Sequence, residues 1–268
     1  MKKLSFFAAL LAAVAFTACG GNKNAQTAEQ DEAQKSFEQT QIEERIKIEL
    51  DSLAAELGKM KQLPIVKTGD GGIKITDEDK KVKPDYLLNV AVADSTETLV
   101  EKYRLLSALS VDKKLAEAYD MPVEEYSKAI SKLAAEIDDP SFKAIEDTNT
   151  LHETAQGLYD AMNENGRINF FWQMAATSLV EQLYIISQNT DRFLVAFDDE
   201  SASLITFRLI LLQDAIERLT EYDENLVPVA DALQPLYVLN ATSVDELKAQ
   251  LATAKEQIDA ARAALLKQ

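Results

Sequence analysis

Apolar positions along this chain recur at helical spacing in segment after segment. Ile42, Ile46, Leu50, Leu53, Leu57 and Met60 follow at intervals of 4, 4, 3, 4 and 3 among Glu, Lys, Gln and Arg. That pattern predicts an amphipathic helix of about 25 residues, ended by Leu63-Pro64. Ile65-Val66 and Ile73-Lys74-Ile75 flank the glycine cluster Gly69-Asp70-Gly71-Gly72, so either a small hairpin or an irregular loop follows. Asp77 to Lys81 reads as a solvated face. Asp94-Ser95-Thr96-Glu97 looks like a cap, and Leu99, Tyr103, Leu106, Leu109 and Leu115 mark a helix from Thr96 to about Tyr119. Pro122 suits the first turn of a helix from Val123 to about Ile137, and Asp139-Pro140 breaks the chain again. Further helices are expected over Ala144 to Met162, Ile168 to Ser187 and Ala202 to Leu219, with Asn163-Glu164-Asn165-Gly166 as a turn and a short helix between Val227 and Pro235.

The last predicted helix has the cleanest signature. Ser243 and Glu246 form a capping-box pattern, and Val244, Leu247, Leu251, Ala254, Ile258, Ala261 and Leu265 make a heptad seam. Packing of this seam on the chain's own bundle is preferred over an intermolecular coiled coil. With only 8 glycines and 6 prolines in 268 residues, a sandwich or barrel lacks the turns it needs. The fold class is therefore all-α, a single bundle of about seven or eight helices over residues 37–268, with Ile168–Ser187 and Ala202–Leu219 at its centre.

The N-terminus follows a different rule. Met1-Lys2-Lys3 precedes an unbroken small or apolar run from Leu4 to Phe16, a secretory leader too short to be an ordinary spanning helix. Phe16-Thr17-Ala18-Cys19 resembles the lipobox of bacterial lipoproteins, with Phe16 departing from the usual leucine. That resemblance implies cleavage after residue 18, a diacylglycerylated Cys19 thiol and a palmitate-type acyl chain on the new amine. Cys19 is the only cysteine, and several acyl chains at about 0.8 kcal/mol per buried CH₂ make a stable anchor. From Gly20 to about Ser36 there is no apolar side chain larger than alanine, so residues 19–36 read as the lipidated cysteine and a flexible tether. Nothing after Cys19 resembles an inner-membrane retention aspartate or an acidic surface-export signal, so an outer-membrane anchor with the body in the periplasm is expected.

Charge narrows the partners. The full chain carries a formal −17, and losing Lys2 and Lys3 with the leader makes it −19. Such acidity disfavours nucleic acid and anionic head groups, leaving the lipid on Cys19 as the membrane contact. Candidate chemistry is sparse. His152 is the only histidine, beside Glu153 in a Thr150-x-x-Glu153 capping pattern, and no metal site, cofactor motif, phosphate loop or nucleophile elbow is found. Catalytic residues are accordingly none. Glu181 is the exception, a carboxylate in the apolar helix that contains Trp172 and Tyr184. A buried carboxylate shifts its pKa or finds a partner. If the two most apolar helices form an antiparallel hairpin turning at Asp198-Asp199-Glu200, Glu181 lies level with Arg218 and Asp191 with Arg208. Trp172, Glu181, Tyr184, Arg208 and Arg218 thus form the candidate polar cluster, a structural ion-pair set first, a ligand spot second and acid/base machinery third.

Leu63-Pro64, Tyr86-Leu87-Leu88-Asn89, Tyr103-Arg104-Leu105-Leu106 running to Ala118-Tyr119, and Trp172 followed by Val180-Glu181-Gln182-Leu183-Tyr184 loosely resemble uncharacterised all-helical lipoproteins of gut Bacteroidales. The resemblance implies a helical envelope lipoprotein and lends weight to Glu181 and Tyr184. It brings no activity. The expected function is a non-catalytic interaction or scaffold module with a protein partner; the alternative is a small-ligand-binding lipoprotein with its pocket around Glu181.

Overall fold

A computed structural model describes residues 44–67, 70–143 and 155–267. The leader, Cys19, the tether, Ile42, His152 and most of the helix expected over Ala144 to Met162 lie outside the described residues. The compact unit begins at Ile46. It is all-α, and no strand occurs among the described residues.

The helices are α1 (44–59), α2 (Leu99–Ala118), α3 (Glu124–Ile137), α4 (Pro140–Lys143), α5 (Ala155–Glu164), α6 (Ile168–Gln188), α7 (Thr190–Phe193), α8 (Asp199–Leu219), α9 (Val227–Leu233) and α10 (Val244–Leu266). Seven of these ten described helices have ten residues or more. Two of the short ones, α4 and α7, are single turns at breaks, which is why the count exceeds the expected seven or eight; the third, α9, is the short helix expected between the prolines. Ile46, Leu50 and Ala54 of α1 are buried, and Leu53 and Leu57 pack partly against the same core. The described residues on either side of 68–69 form no strand, which fits the irregular alternative, and Ile73 N donates to Pro64 O at 3.2 Å.

Local chemistry sets several boundaries more tightly than spacing does. The start of α2 is fixed by Thr98 rather than by the Asp94–Glu97 group: Thr98 Oγ1 accepts from Glu101 N, and the Glu101 carboxylate accepts from the Thr98 and Glu97 backbones at 3.0 and 2.8 Å. Pro122 stands outside the first turn of α3, whose N-cap is Val123. At the end of α5, Gly166 adopts φ +67°, a conformation that side chains resist, and lets Arg167 N reach Met162 O at 2.7 Å. Ser243 caps α10, but Glu246 returns one residue further than a capping box requires, accepting from Thr242 N at 2.8 Å.

The centre of the bundle is α6 with α2, and α10 and α3 pack around them. This corrects the expectation that α6 and α8 share the centre. The nine-residue apolar run Leu204–Leu212 leaves Phe207 and Ile210 more than half exposed, whereas α2, despite Arg104, Asp112 and Lys113, buries those charges with its leucines. Two small contacts let the central pair approach. Ser107 Oγ of α2 donates to Met174 O of α6 at 2.7 Å, and Ala108 and Ala176 are fully buried. Tyr103 stacks on Phe170 with ring centroids 4.3 Å apart and donates its hydroxyl to Asp139 at 2.5 Å, tying the α3–α4 break to the core. The α10 seam from Leu247 to Leu265 is buried on this same bundle.

Candidate functional site

Two polar features leave α6 at the same level and on different sides. The first is closed. Glu181 is 1% exposed, and both its oxygens are held by one guanidinium: Arg262 Nε donates to Oε2 at 2.7 Å and Nη2 to Oε1 at 2.9 Å. Burial disfavours the charge on Arg262, and the Glu181 carboxylate outweighs that, so its pKa is raised. The guanidinium carbon lies 3.8 Å from the centre of the half-buried Tyr184 ring, a cation–π contact.

Asp112 of α2 completes this node. It is fully buried and faces Glu181, and its Oδ2 accepts from Leu88 N at 2.7 Å. Two buried carboxyls share one guanidinium, so a proton is needed to balance them. The Arg262 fork occupies Glu181, and burial first, then the Glu181 charge, drive the Asp112 pKa well above the ordinary carboxylate range. Of the two carboxyls, Asp112 is therefore the one whose surroundings favour the neutral form. Its Oδ1 has no donor among the described residues because the group opposite is itself an acceptor, which a proton on Asp112 satisfies. The loop before α2 is clamped here as well: Leu88 gives its N–H to Asp112 and its carbonyl to the Tyr126 hydroxyl at 3.2 Å. A carboxylate with both oxygens engaged and sealed from water has no room to take a substrate proton, so this node is an ion pair that locks α10 onto α6 and α2.

The pairing expected from hairpin arithmetic is corrected. Arg218 instead pairs with Glu49 of α1 and with Asp214 one turn back, at 2.9 Å, on a partly exposed surface. Asp191 pairs with Lys248 of α10 at 2.5 Å and not with Arg208. The cause lies at Asn189, where φ −149° and ψ 72° end α6 nine residues before the supposed turn. The intervening α7 and a 3₁₀ turn at Leu194–Ala196 redirect the chain, so the two helices are not one hairpin in register. Trp172 lies apart too, fully buried in an edge-to-face group with Phe171 and Tyr159 at 5.2 and 6.0 Å. Of the five expected residues, only Glu181 and Tyr184 meet, through Arg262.

The second feature is open. One residue along, Gln182 points away from Glu181 to a cavity of about 350 Å³ bounded by α1, α5, α6 and α8, with Ser107 of α2 at its inner wall. Gln182 is 2% exposed; its Nε2 donates to Ser178 O and Oγ, both at 3.1 Å, and its Oε1 has no donor among the described residues. Arg208 lines the cavity from α8. Its Nη2 donates to Lys61 O at 2.5 Å, and its Nε is sealed from solvent without an acceptor among the described residues. Over its whole surface Arg208 is half-buried, but burial around the guanidinium still pushes its pKa down to about 10. No carboxylate among the described residues forms an ion pair with it. Gly58 lets α1 come close to α5, since a Cβ there would meet Gln156 Cβ at 3.2 Å. Gly157, at the mouth, has open space where a Cβ would stand.

Another buried cation, Arg104 of α2, gives Nε to Gln173 Oε1 at 2.9 Å and Nη2 to Asn225 O at 2.8 Å. Arg262, Asp112, Arg104 and Gln182 are the residues that sequence reasoning missed. Among the described residues, no group of three or more His, Cys, Asp or Glu is placed to hold a metal, and no helix is long and apolar enough to cross a membrane. In comparisons with known proteins, the chain matches no family model, no curated protein and no solved structure.

Proposed function

We propose that this chain is a lipoprotein of the cell envelope, anchored in the outer membrane through Cys19 with its body in the periplasm, and that it works by holding a protein partner, without catalysis. The observation that carries the reading is an apolar surface on α8 and the turn after α9. Phe207, Ile210 and Val238 are each more than half exposed, with Tyr237 beside them. The two elements are joined by Thr206 Oγ1 donating to Ala241 O at 3.1 Å. Tyr237 feels the carboxylates of Glu217 and Asp214, and its phenol is pushed up to about 12 by burial and by that charge. Apolar side chains in a cluster with an acidic edge suit a partner that offers an apolar anchor and a basic rim. The closed Glu181–Arg262–Asp112 node supports the same reading, because its carboxylates are used up within the fold.

The test has two parts. Radiolabelled palmitate incorporates into the chain in its host and is lost in Cys19→Ser; an unlabelled native chain rejects the anchor. A photo-crosslinking residue at Phe207 gives one discrete adduct in intact cells, and Ile210→Asp removes it. The same residue at Glu256, on the exposed side of α10, gives none. Equal adducts at both positions, or none at Phe207, reject the docking surface.

A further inference from the structure

We propose that the cavity between α1, α5, α6 and α8 binds a small apolar monocarboxylate, its carboxylate on Arg208 and its hydrocarbon body along α6. Three observations carry this beyond a packing void. The chain has 45 acidic residues against 28 basic ones, yet Arg208 is the one charged residue among the described residues that line the cavity. An acid-free wall with a lone cation selects an anion even in a strongly acidic protein. The unpartnered Nε of Arg208 needs an acceptor, and the unpartnered Oε1 of Gln182, itself buried, needs a donor. Both atoms are closed to solvent, so a ligand carboxylate meets the first, and a hydroxyl on the same ligand the second, once each side chain turns toward the cavity it lines. The rest of the wall mixes adaptable apolar side chains, Met60, Met174, Leu179 and Leu212 among them, with the uncharged polar Gln62, Ser107, Gln156 and Ser178, and about 350 Å³ falls at the small end of the roughly 300–1,000 Å³ of ligand pockets.

A carboxylate is also what separates a free acid from the other source of acyl chain near this protein, the esterified chains of the bilayer. An ester has no charge to place on Arg208. Decanoate and methyl decanoate therefore distinguish the two sources.

The experiment uses the full chain in phospholipid nanodiscs, with empty nanodiscs as the blank and carboxyl-¹³C-labelled decanoate as the probe. A saturable bound resonance appears only with the protein, and decanoate binds at least tenfold tighter than methyl decanoate, as expected for a charge-assisted pair. In Arg208→Gln that tenfold preference for the acid disappears. Gly157→Phe, placed where the mouth is open, weakens both ligands at least tenfold and keeps the proposal testable should Arg208→Gln fold poorly. A 10-hydroxydecanoate series member with its hydroxyl in reach of Gln182 loses its advantage in Gln182→Leu. No resonance above the blank overturns the proposal. So does an acid-to-ester ratio that survives Arg208→Gln, or binding of both ligands that Gly157→Phe leaves unchanged. None of these outcomes bears on the palmitate or crosslinking tests of the docking surface.

Discussion

Glu181 and Gln182 are consecutive residues, about 100° apart around one helix, and they end in opposite situations. Glu181 points to a node in which one guanidinium, stacked on an aromatic face, holds both its oxygens with almost no solvent contact. Gln182 points to a cavity in which its own carbonyl and the Nε of Arg208 both lack partners among the described residues. Burial alone does not separate the two, since both side chains are at most 2% exposed. Saturation does. A polar group whose every lone pair is matched inside the fold contributes to holding helices together, and one left unmatched beside empty space is a place for something from outside.

The largest way to break this contrast is to remove the centre of the closed node. Truncating one partner of a buried ion pair typically costs about 3–5 kcal/mol, and Glu181→Ala is expected at about 3. The lower end applies because Asp112 then releases its proton and takes over Arg262. Urea denaturation followed by circular dichroism measures it; a loss below about 1 kcal/mol would mean that the pair is not holding α10. By contrast, Gln182→Leu changes stability by less than about 1 kcal/mol, since it discards an unmet carbonyl together with the bonds to Ser178.

A sharper test uses Asp112, whose role depends on its proton. Because its native pKa is raised, the folded state binds more protons than the unfolded chain above the unfolded value of about 3.9. Stability from this group therefore falls as pH rises from about 4 toward the native pKa and is level above that. Asp112→Asn keeps the shape, accepts from Leu88 N and donates to Glu181 without needing a proton. The variant is expected to be more stable than the parent by about 1–3 kcal/mol at pH 7, with the gain vanishing below about pH 4. In the Glu181→Ala background the sign reverses, because the neutral amide of Asp112→Asn leaves Arg262 buried with no counter-charge. A gain that does not vary with pH, or a sign that stays the same in both backgrounds, would put the proton elsewhere.

How much of this was readable from the sequence divides along the same line. The all-α class, the buried α6 and the suspicion attached to Glu181 all follow from periodicity and from the cost of a carboxylate in an apolar helix. The α10 seam was readable for the same reason. Arg262 is four residues after the seam position Ile258, so its inward direction was available; its flanks of alanine hid it as one more surface arginine. Asp112 sits in Ser110-Val111-Asp112-Lys113-Lys114, which looks like a solvated charge run. Its neighbours at three and four residues, Leu109, Leu115 and Ala116, are all buried and fix its direction only once α2 is known to be central. The partner of Glu181 was beyond reach because register arithmetic presumes one straight hairpin, and Asn189 ends α6 early. The cavity had no signal in pattern at all, since an empty space is defined by four helices and by what none of them fills.

The smallest effect tests whether that space is open. A glycine inside a helix costs about 0.5–1 kcal/mol relative to alanine, and it is usually kept because a neighbour stands where the Cβ would be. Gly58 fits that rule, pressed against Gln156. Gly157 does not: no atom of the described residues lies within 4 Å of the position its Cβ would take, and its φ is not positive. Gly157→Ala is therefore expected to raise stability by about 0.5–1 kcal/mol, and Gly58→Ala to gain nothing or lose, a difference that paired thermal melts resolve. Should Gly157→Ala destabilise the chain instead, the mouth of the cavity is occupied by the protein itself, and Arg208 and Gln182 are left with no route to a ligand.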